Sequence, residues 1–216
     1  MFDSRNWLAL YLDAPMQSWG YQSHFDRRTT LSYPTKSGVI GMLCAAMGVP
    51  KNDTVMIKRL ANLMMRVYVL RTARRMTDFH TVGGGYDPKT ERVWMPRKAN
   101  GGRPSTVVTH RDYLLDSKFG VVLNGDSTLL EHCESALANP KWGIWFGRKS
   151  CVPASPICKG RFGSEEEALE AISDSKAIRR VEEVLHFEDG TDTLFDLPVD
   201  FSTRDFTVRR VADNPL

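Results

Sequence analysis

The segment from Pro34 to Gly48 constrains the fold more than any other stretch of the sequence. Proline holds the residue before it in an extended conformation, and Thr35 or Ser37 can cap a helix that begins next. Helices commonly end at a left-handed glycine, here Gly48, and Pro50 prevents the helix from continuing. Between these signals the residues are almost all apolar and none is acidic, so the segment predicts a buried helix.

Two interpretations of the start of this helix remain open. Its unpaired amides, its hydroxyl groups and Lys36 form an end that suits a phosphate group. Alternatively, the segment is a plain core helix whose glycines mark close packing contacts.

Composition narrows the class of protein. The chain has 216 residues, 42% of them hydrophobic and 25% charged, which is typical of a soluble globular protein with one large domain or one and a half. No apolar run is long enough to span a membrane, and the first residues lack a secretory signal pattern, so we expect a cytoplasmic protein. The four cysteines include no C-x-x-C pair, so we expect buried free thiols and neither a metal nor another cofactor.

The net charge of +3 hides an uneven distribution. Residues 165–200 carry twelve acidic against three basic side chains, a balance of −9, and the last sixteen residues carry +1. Residues 1–164 therefore hold +11. A basic body with an acidic appendage favours a nucleic-acid partner, although most charged side chains only solvate a surface.

The segment from Arg71 to Arg111 contains two glycine runs, nine basic residues and three acidic ones. Flat side chains are interleaved with the cations: Phe79, His80, Tyr86 and Trp94. Single-stranded nucleic acid needs cations for its phosphates and flat faces for its bases. Part of the segment, around Glu91–Met95, can pair as a hairpin. Composition alone leaves a functional loop and a disordered loop both open.

Hydrophobic patterns and turn signals predict the remaining elements. The predicted strands are Trp7–Leu12, Leu63–Leu70, Lys118–Leu123 and a short aromatic strand within Trp142–Ser155. The predicted helices are the one after Pro34, a short one at Asp53–Leu60 and an amphipathic one at Ser127–Ala138. Without the long loop, the order strand, helix, strand, strand, helix, strand predicts an α+β fold of the ferredoxin-like type, which RNA-recognition domains also use.

Residues 161–216 are predicted to form a small acidic C-terminal extension to a domain made of residues 1–160. The extension contains a short helix capped by Ser164 and strand-like pieces at Glu183–Phe187 and Phe206–Val211. Its acids either contact a basic surface of a neighbouring subunit or keep the chain soluble, and we favour solubility.

Five blocks of the sequence, in order and at suitable spacing, resemble the CasD family of type I-E CRISPR Cascade, a branch of the RAMP superfamily. They are residues 14–20 (APMQSWG), 34–41 (PTKSGVIG), 78–82 (DFHTV), 111–114 (RDYL) and 146–153 (FGRKSCVP). The blocks span about residues 5–160, and the acidic C-terminal part resembles the family less clearly.

This resemblance implies a non-catalytic, ferredoxin-like RNA-binding subunit with a β-hairpin thumb at about residues 76–111. Such a subunit holds the 5′ handle of the CRISPR RNA and caps one end of the backbone filament of the complex. Its partners are a CasC-like backbone subunit, a CasA-like large subunit and target DNA near the first guide positions. The thumb presses between guide and target bases, while guide pairing selects the sequence.

The resemblance and the local chemistry together predict the site residues. Those expected to contact handle phosphates are Lys36, Ser37 and Arg27 near the helix start, and Arg148, Lys149 and Ser150 in a later loop. The sequence pattern of that loop is also typical of an ordinary turn. Those expected to read or stack on handle bases are Gln17 and Trp19. The thumb candidates are His80, Arg97, Arg103 and Arg111. Core packing remains an alternative for Trp19, and a structural role remains one for Arg111.

A nuclease is the alternative function. In the related subtype I-C the counterpart subunit cuts precursor RNA without metal, and this chemistry needs a histidine, tyrosine or lysine at the reacting oxygens. The sequence offers His24, His80 and His110, but no pair has a diagnostic spacing. The blocks resemble type I-E, in which a different subunit cuts the repeat. No motif indicates a small-molecule enzyme, and a fold alone does not supply a function.

Overall fold

A computed structural model describes residues 5–23, 26–82, 106–172 and 176–216. The strands are β1 (Trp7–Asp13), β2 (Met16–Gln17), β3 (Arg27–Arg28), β4 (Met64–Arg71), β5 (Arg74–Val82), β6 (Val107–Leu115), β7 (Lys118–Asn124), β8 (Cys158–Phe162), β9 (Arg179–Val184), β10 (Asp192–Asp200) and β11 (Asp205–Pro215). The helices are α1 (Lys36–Met47), α2 (Thr54–Ala61), α3 (Ser127–Ala138) and α4 (Glu165–Ile172), with a 3-10 turn at Phe187–Asp189.

Four strands in the order β4-β7-β1-β8, all paired antiparallel, form the centre of the main sheet. Helix α1 follows β1 along the chain and α3 follows β7, and both pack on one face of the sheet. This connectivity confirms the predicted ferredoxin-like fold. Along β1, Leu8 and Leu10 face α1 and α3, whereas Ala9 and Tyr11 face α4, as the period of two in a strand requires.

The fourth strand of the core is not where the sequence analysis expected it. Residues 142–155 form a loop, and the strand is β8, at Cys158–Phe162. Gly147 interrupts the aromatic stretch with a φ of 94°, and the amide of Phe146 donates to the carbonyl of Cys151 across a turn. The aromatic residues that suggested a strand therefore surround a turn instead.

Helix α1 is the predicted buried helix. The hydroxyl of Thr35 accepts from the amide of Gly38 at 3.2 Å, and Gly48 ends the helix with a φ of 73°. A Cβ at Gly38 would lie 2.8 Å from the indole of Trp19. A glycine at this position therefore lets the helix approach the Trp19 ring, as the core-helix interpretation expects.

The acidic C-terminal region is continuous with the core. Strand β9 pairs with β4, and the main sheet has seven strands in the order β10-β11-β9-β4-β7-β1-β8. The boundary predicted at residue 160 therefore separates no independent sheet. Strand β10 was missed because its inward positions include Asp196 and Pro198, which break the apolar alternation of a typical strand.

A second sheet contains the described parts of the segment that the sequence predicts as a thumb. Strands β5 and β6 pair antiparallel from Arg74 opposite Leu115 to Val82 opposite Val107, and β2 and β3 flank β6. The two ends of the segment read as a loop are thus the arms of a hairpin. Arg97, Arg103 and the pairing suggested around Glu91–Met95 lie outside the described residues, as does His24.

Candidate nucleic-acid interface

An internal carboxylate occupies the N-terminus of α1. The amide of Lys36 donates to Oδ2 of Asp196 at 2.7 Å, and Asp196 also accepts from Arg209 through Nε at 2.7 Å and Nη2 at 2.9 Å. Asp196 is 2% exposed, and Arg209 is also buried. A helix N-terminus favours an anion, and β10 of the same chain provides it.

The Lys36 side chain is satisfied in the same way. Its Nζ lies 2.7 Å from Oε2 of Glu183, and the residue is 2% exposed. Burial lowers the pKa of Lys36 below its usual value, while the hydrogen bond to Glu183 acts in the opposite direction. The ammonium group that the sequence analysis assigned to a phosphate is therefore buried and already paired in this structure.

Gln17 and Trp19 are core residues rather than base-reading ones. The Gln17 amide donates to the carbonyls of Leu12 and Ser117 at 3.0 and 2.9 Å and accepts from the Trp19 indole at 3.1 Å. The two residues are 0% and 1% exposed, and the Trp19 ring lies 5.9 Å from that of Phe146. Neither side chain has a free face for a base, so the core-packing alternative holds for Trp19 and extends to Gln17.

The loop at residues 147–150 is fixed against the second sheet. A Cβ on Gly147 would lie 1.7 Å from the carbonyl oxygen of Ser18, and the left-handed φ also requires glycine here. Arg148 donates through Nη1 to the carbonyl of Asp112 at 2.8 Å and through Nη2 to that of Arg28 at 2.9 Å. Its guanidinium group stacks 4.5 Å above the ring of Tyr113, so the cation has a defined position.

Five of the predicted residues converge in one groove of about 700 Å³ between this loop and the β5–β6 hairpin, which we name the Arg148 groove. They are His80, Arg111, Arg148, Lys149 and Ser150. Nε of Arg111 donates to the Thr109 hydroxyl at 3.0 Å, and Nδ1 of His80 lies 3.5 Å from Oδ2 of Asp78. The loop candidates and the two thumb candidates that lie within the described residues, predicted separately, thus form one surface.

A smaller groove of about 260 Å³, which we name the Ser37 groove, continues on the other side of Arg148. Ser37 and Arg28 line it, whereas Arg27 is exposed beside His110 and lines neither groove. Arg28 was missed by the sequence analysis. Alternation along a strand turns only one of two adjacent arginines toward a given face, and the sequence does not indicate which one.

The two grooves are strongly cationic. Four basic side chains line them: Arg28, Arg111, Arg148 and Lys149. Among the described lining residues, Asp78 is the one acid. Such a surface can bind consecutive phosphates of a nucleic-acid strand.

Other predictions concern metals, thiols and membranes. The four cysteines are free, and Cys44, Cys133 and Cys151 are buried, as expected. Burial raises the pKa of Cys44 and of Cys133 to about 12. The described residues contain no group of three or more histidine, cysteine, aspartate or glutamate side chains arranged for a metal. Within the described ranges, no helix has the length and apolar character needed to cross a membrane.

Comparison with known proteins agrees with the fold. The chain is 27% identical over 232 residues to the CRISPR system Cascade subunit CasD of Escherichia coli (strain K12), covering 94% of this chain and 96% of the relative. It superposes with a TM-score of 0.81 and 31% identity on a chain of a CRISPR RNA-guided surveillance complex, covering 97% and 89% of the two chains. It also superposes on a crystal structure of a Cas protein with a TM-score of 0.71 and 32% identity, covering 97% of this chain and 94% of the other.

The resemblance to CasD seen in the sequence is therefore confirmed. A family model described as CRISPR-associated protein (Cas_Cas5) matches residues 7–212, which include the core sheet, the hairpin arms and nearly all of the C-terminal strands. This protein belongs to the CRISPR-associated Cas5 family.

Proposed function

We propose that this protein is a non-catalytic subunit of a type I-E CRISPR Cascade complex and binds the 5′ handle of the CRISPR RNA. The observation that carries the proposal is the convergence of hairpin and loop cations in the Arg148 groove. Its membership of the Cas5 family supports it, as does the name of its relative CasD, a Cascade subunit. A similar solved chain comes from an RNA-guided surveillance complex.

The chemistry of the groove suits the backbone of an RNA strand. Arg148 is held by two carbonyls and a tyrosine ring before any ligand arrives, so little side-chain entropy is lost when it binds a phosphate. Lys149 and Ser150 are exposed next to it and supply a further charge and a hydroxyl donor. Contacts of this kind fix register and orientation without selecting bases, which guide pairing does instead.

The β5–β6 hairpin fits the proposed role of a thumb. Phe79 is exposed on the face opposite the Arg148 groove, where its ring lies 5.4 Å from that of His110. This face is free to contact neighbouring components of the complex. We propose that these are a CasC-like backbone subunit, a CasA-like large subunit and target DNA near the first guide positions, with this protein capping one end of the backbone filament.

The hairpin geometry favours a non-catalytic role over a nuclease. Phe79 is the cross-strand partner of His110, so His110 shares a face with Phe79 while His80 points to the other face. The two histidines cannot act together as general acid and general base on one phosphate. One observation does favour the alternative of precursor-RNA cleavage, since His80 lines the Arg148 groove beside Tyr113.

The test mixes the purified protein with a labelled RNA carrying the repeat of its CRISPR array, first without metal and then with magnesium. We expect binding without cutting, and tighter binding to an RNA with the 5′ handle than to a scrambled one. Cutting within the repeat that His80→Ala abolishes would instead establish the nuclease. Equal binding of handle and scrambled RNA would contradict the proposal of handle recognition.

A further inference from the structure

A third groove, of about 640 Å³, lies beside the C-terminal half of α1, and the sequence analysis assigned no role to it. Its lining includes three flat side chains, Trp142, Phe201 and Phe206, and two cations, Lys51 and Arg204. We name it the Trp142 groove. It shares Phe201 and Gly147 with the Ser37 groove, so the two form one continuous surface that leads to Arg148.

Hydrogen bonds of the main chain hold the two segments that carry the aromatic residues of this groove. The amide of Trp142 donates to the carbonyl of Ala45 at 3.1 Å, near the C-terminus of α1, yet the residue is 47% exposed. On the opposite wall, the amide of Phe201 donates to the carbonyl of Lys51 at 3.1 Å. The Phe201 ring meets that of Phe206 edge-on, with 6.2 Å between centroids. These hydrogen bonds fix the main chain that carries both rings, and about half of Trp142 is left exposed to a ligand.

The charges beside these rings are also arranged for an anionic strand. Lys51 and Arg204 are exposed on the side of Phe201. The nearby carboxylate of Asp200 accepts from the amide and hydroxyl of Ser202 at 2.6 Å, which keeps it within its own turn. Flat faces interleaved with cations are the combination that binds single-stranded nucleic acid without sequence preference.

We propose that the Trp142 groove is a second RNA subsite, in which Trp142 and Phe201 stack on bases of the strand whose phosphates lie in the Arg148 groove. This inference rests on the proposed RNA-binding function. Continuity with the Arg148 groove and the cations favour an RNA strand as occupant rather than an apolar protein segment. The subsite lengthens the stretch of RNA that the protein holds.

The test measures affinity for the labelled repeat RNA and for versions shortened stepwise from either end. Trp142→Ala should weaken binding of the long RNA by roughly tenfold, the order expected for one lost base–aromatic stack. The variant should also lose the dependence on RNA length at one end. Phe195→Ala serves as the control, because Phe195 is 58% exposed on β10 and lines none of the three grooves.

Photocrosslinking gives an independent readout with the unaltered protein. RNA carrying 5-iodouridine at successive positions should crosslink to Trp142 or Phe201 at one end of the bound stretch. Crosslinks confined to the Arg148 groove, or equal length dependence in wild type and Trp142→Ala, would overturn the subsite while leaving RNA binding intact. Failure of the wild type to bind any repeat RNA would overturn the proposed function together with the subsite.

Discussion

The start of α1 and the Arg148 loop look alike in sequence and differ completely in structure. Each combines glycine, lysine and serine in a pattern that suits a phosphate. At α1, acids 147 and 160 residues away in the chain take the ammonium group and the helix amide. At the loop, Arg148 is held by uncharged carbonyls and Lys149 is exposed, so both keep a net charge for a ligand. A local motif indicates that an anion can bind, and distant residues decide whether the anion belongs to the protein itself.

The sharpest way to break this comparison is to remove the internal anion. Asp196→Ala leaves Arg209 buried without its ion-pair partner and leaves the Lys36 amide without an acceptor. We therefore expect the free energy of unfolding to fall by about 3–5 kcal/mol. Urea denaturation measures the change. Asp205→Ala, on an exposed carboxylate, should change stability by less than about 0.5 kcal/mol. If Asp196→Ala unfolds like the wild type, Asp196 does not stabilise the start of α1.

The position of Arg148 depends on the conformation of the loop at residues 147–150. Gly147→Ala places a methyl group against the Ser18 carbonyl at a left-handed φ, so we expect a loss of more than about 2 kcal/mol in stability. RNA affinity should fall as well, because Arg148 moves with the loop. Gly163→Ala is the matched control, since its added Cβ would lie 3.5 Å from Oε2 of Glu167, an ordinary contact, and Gly163 lines none of the three grooves. Unchanged affinity and stability in Gly147→Ala would contradict the assignment of a fixed loop.

The smallest expected effect is on the salt dependence of RNA binding, and it distinguishes Lys149 from Lys36. Lys149→Gln should reduce the slope of log affinity for repeat RNA against log salt by about 0.7, the value for one phosphate contact on a single strand. Lys36→Gln should leave that slope unchanged and instead lower stability, because Glu183 loses its partner. Lys58→Gln, on the exposed face of α2, controls for a general loss of charge. Equal slopes in Lys36→Gln and Lys149→Gln would erase the distinction between the sites.

Local signals predicted most of the fold. Gly48 ends α1 as expected, and the side chains of Asp53 and Asp126 cap α2 and α3, because caps depend on residues within one turn of the helix. The pairing of β9 with β4 was not predicted, since it joins residues more than a hundred positions apart. The local pattern of a strand does not show which distant strand will be its partner.

The candidate site was predictable in parts but not as an assembly. The sequence indicated a phosphate contact at Lys149 and a thumb at His80 and Arg111, and the structure brings the three residues into one groove. That convergence depends on Arg148 reaching the carbonyls of two separate strands, which no spacing in the sequence reveals. The sequence likewise did not decide between core packing and base stacking for Trp19, because an indole suits both roles.

The groups that pair with the start of α1 are also synthesised later than the helix itself. Because chains are synthesised from the N-terminus, Lys36 leaves the ribosome long before its partners Glu183 and Asp196. Until those strands follow, the nascent helix carries an uncompensated ammonium group at an uncovered end. Completion of the chain then places Glu183 on the ammonium group and Asp196 on the helix amide, so the folded protein supplies both anions itself.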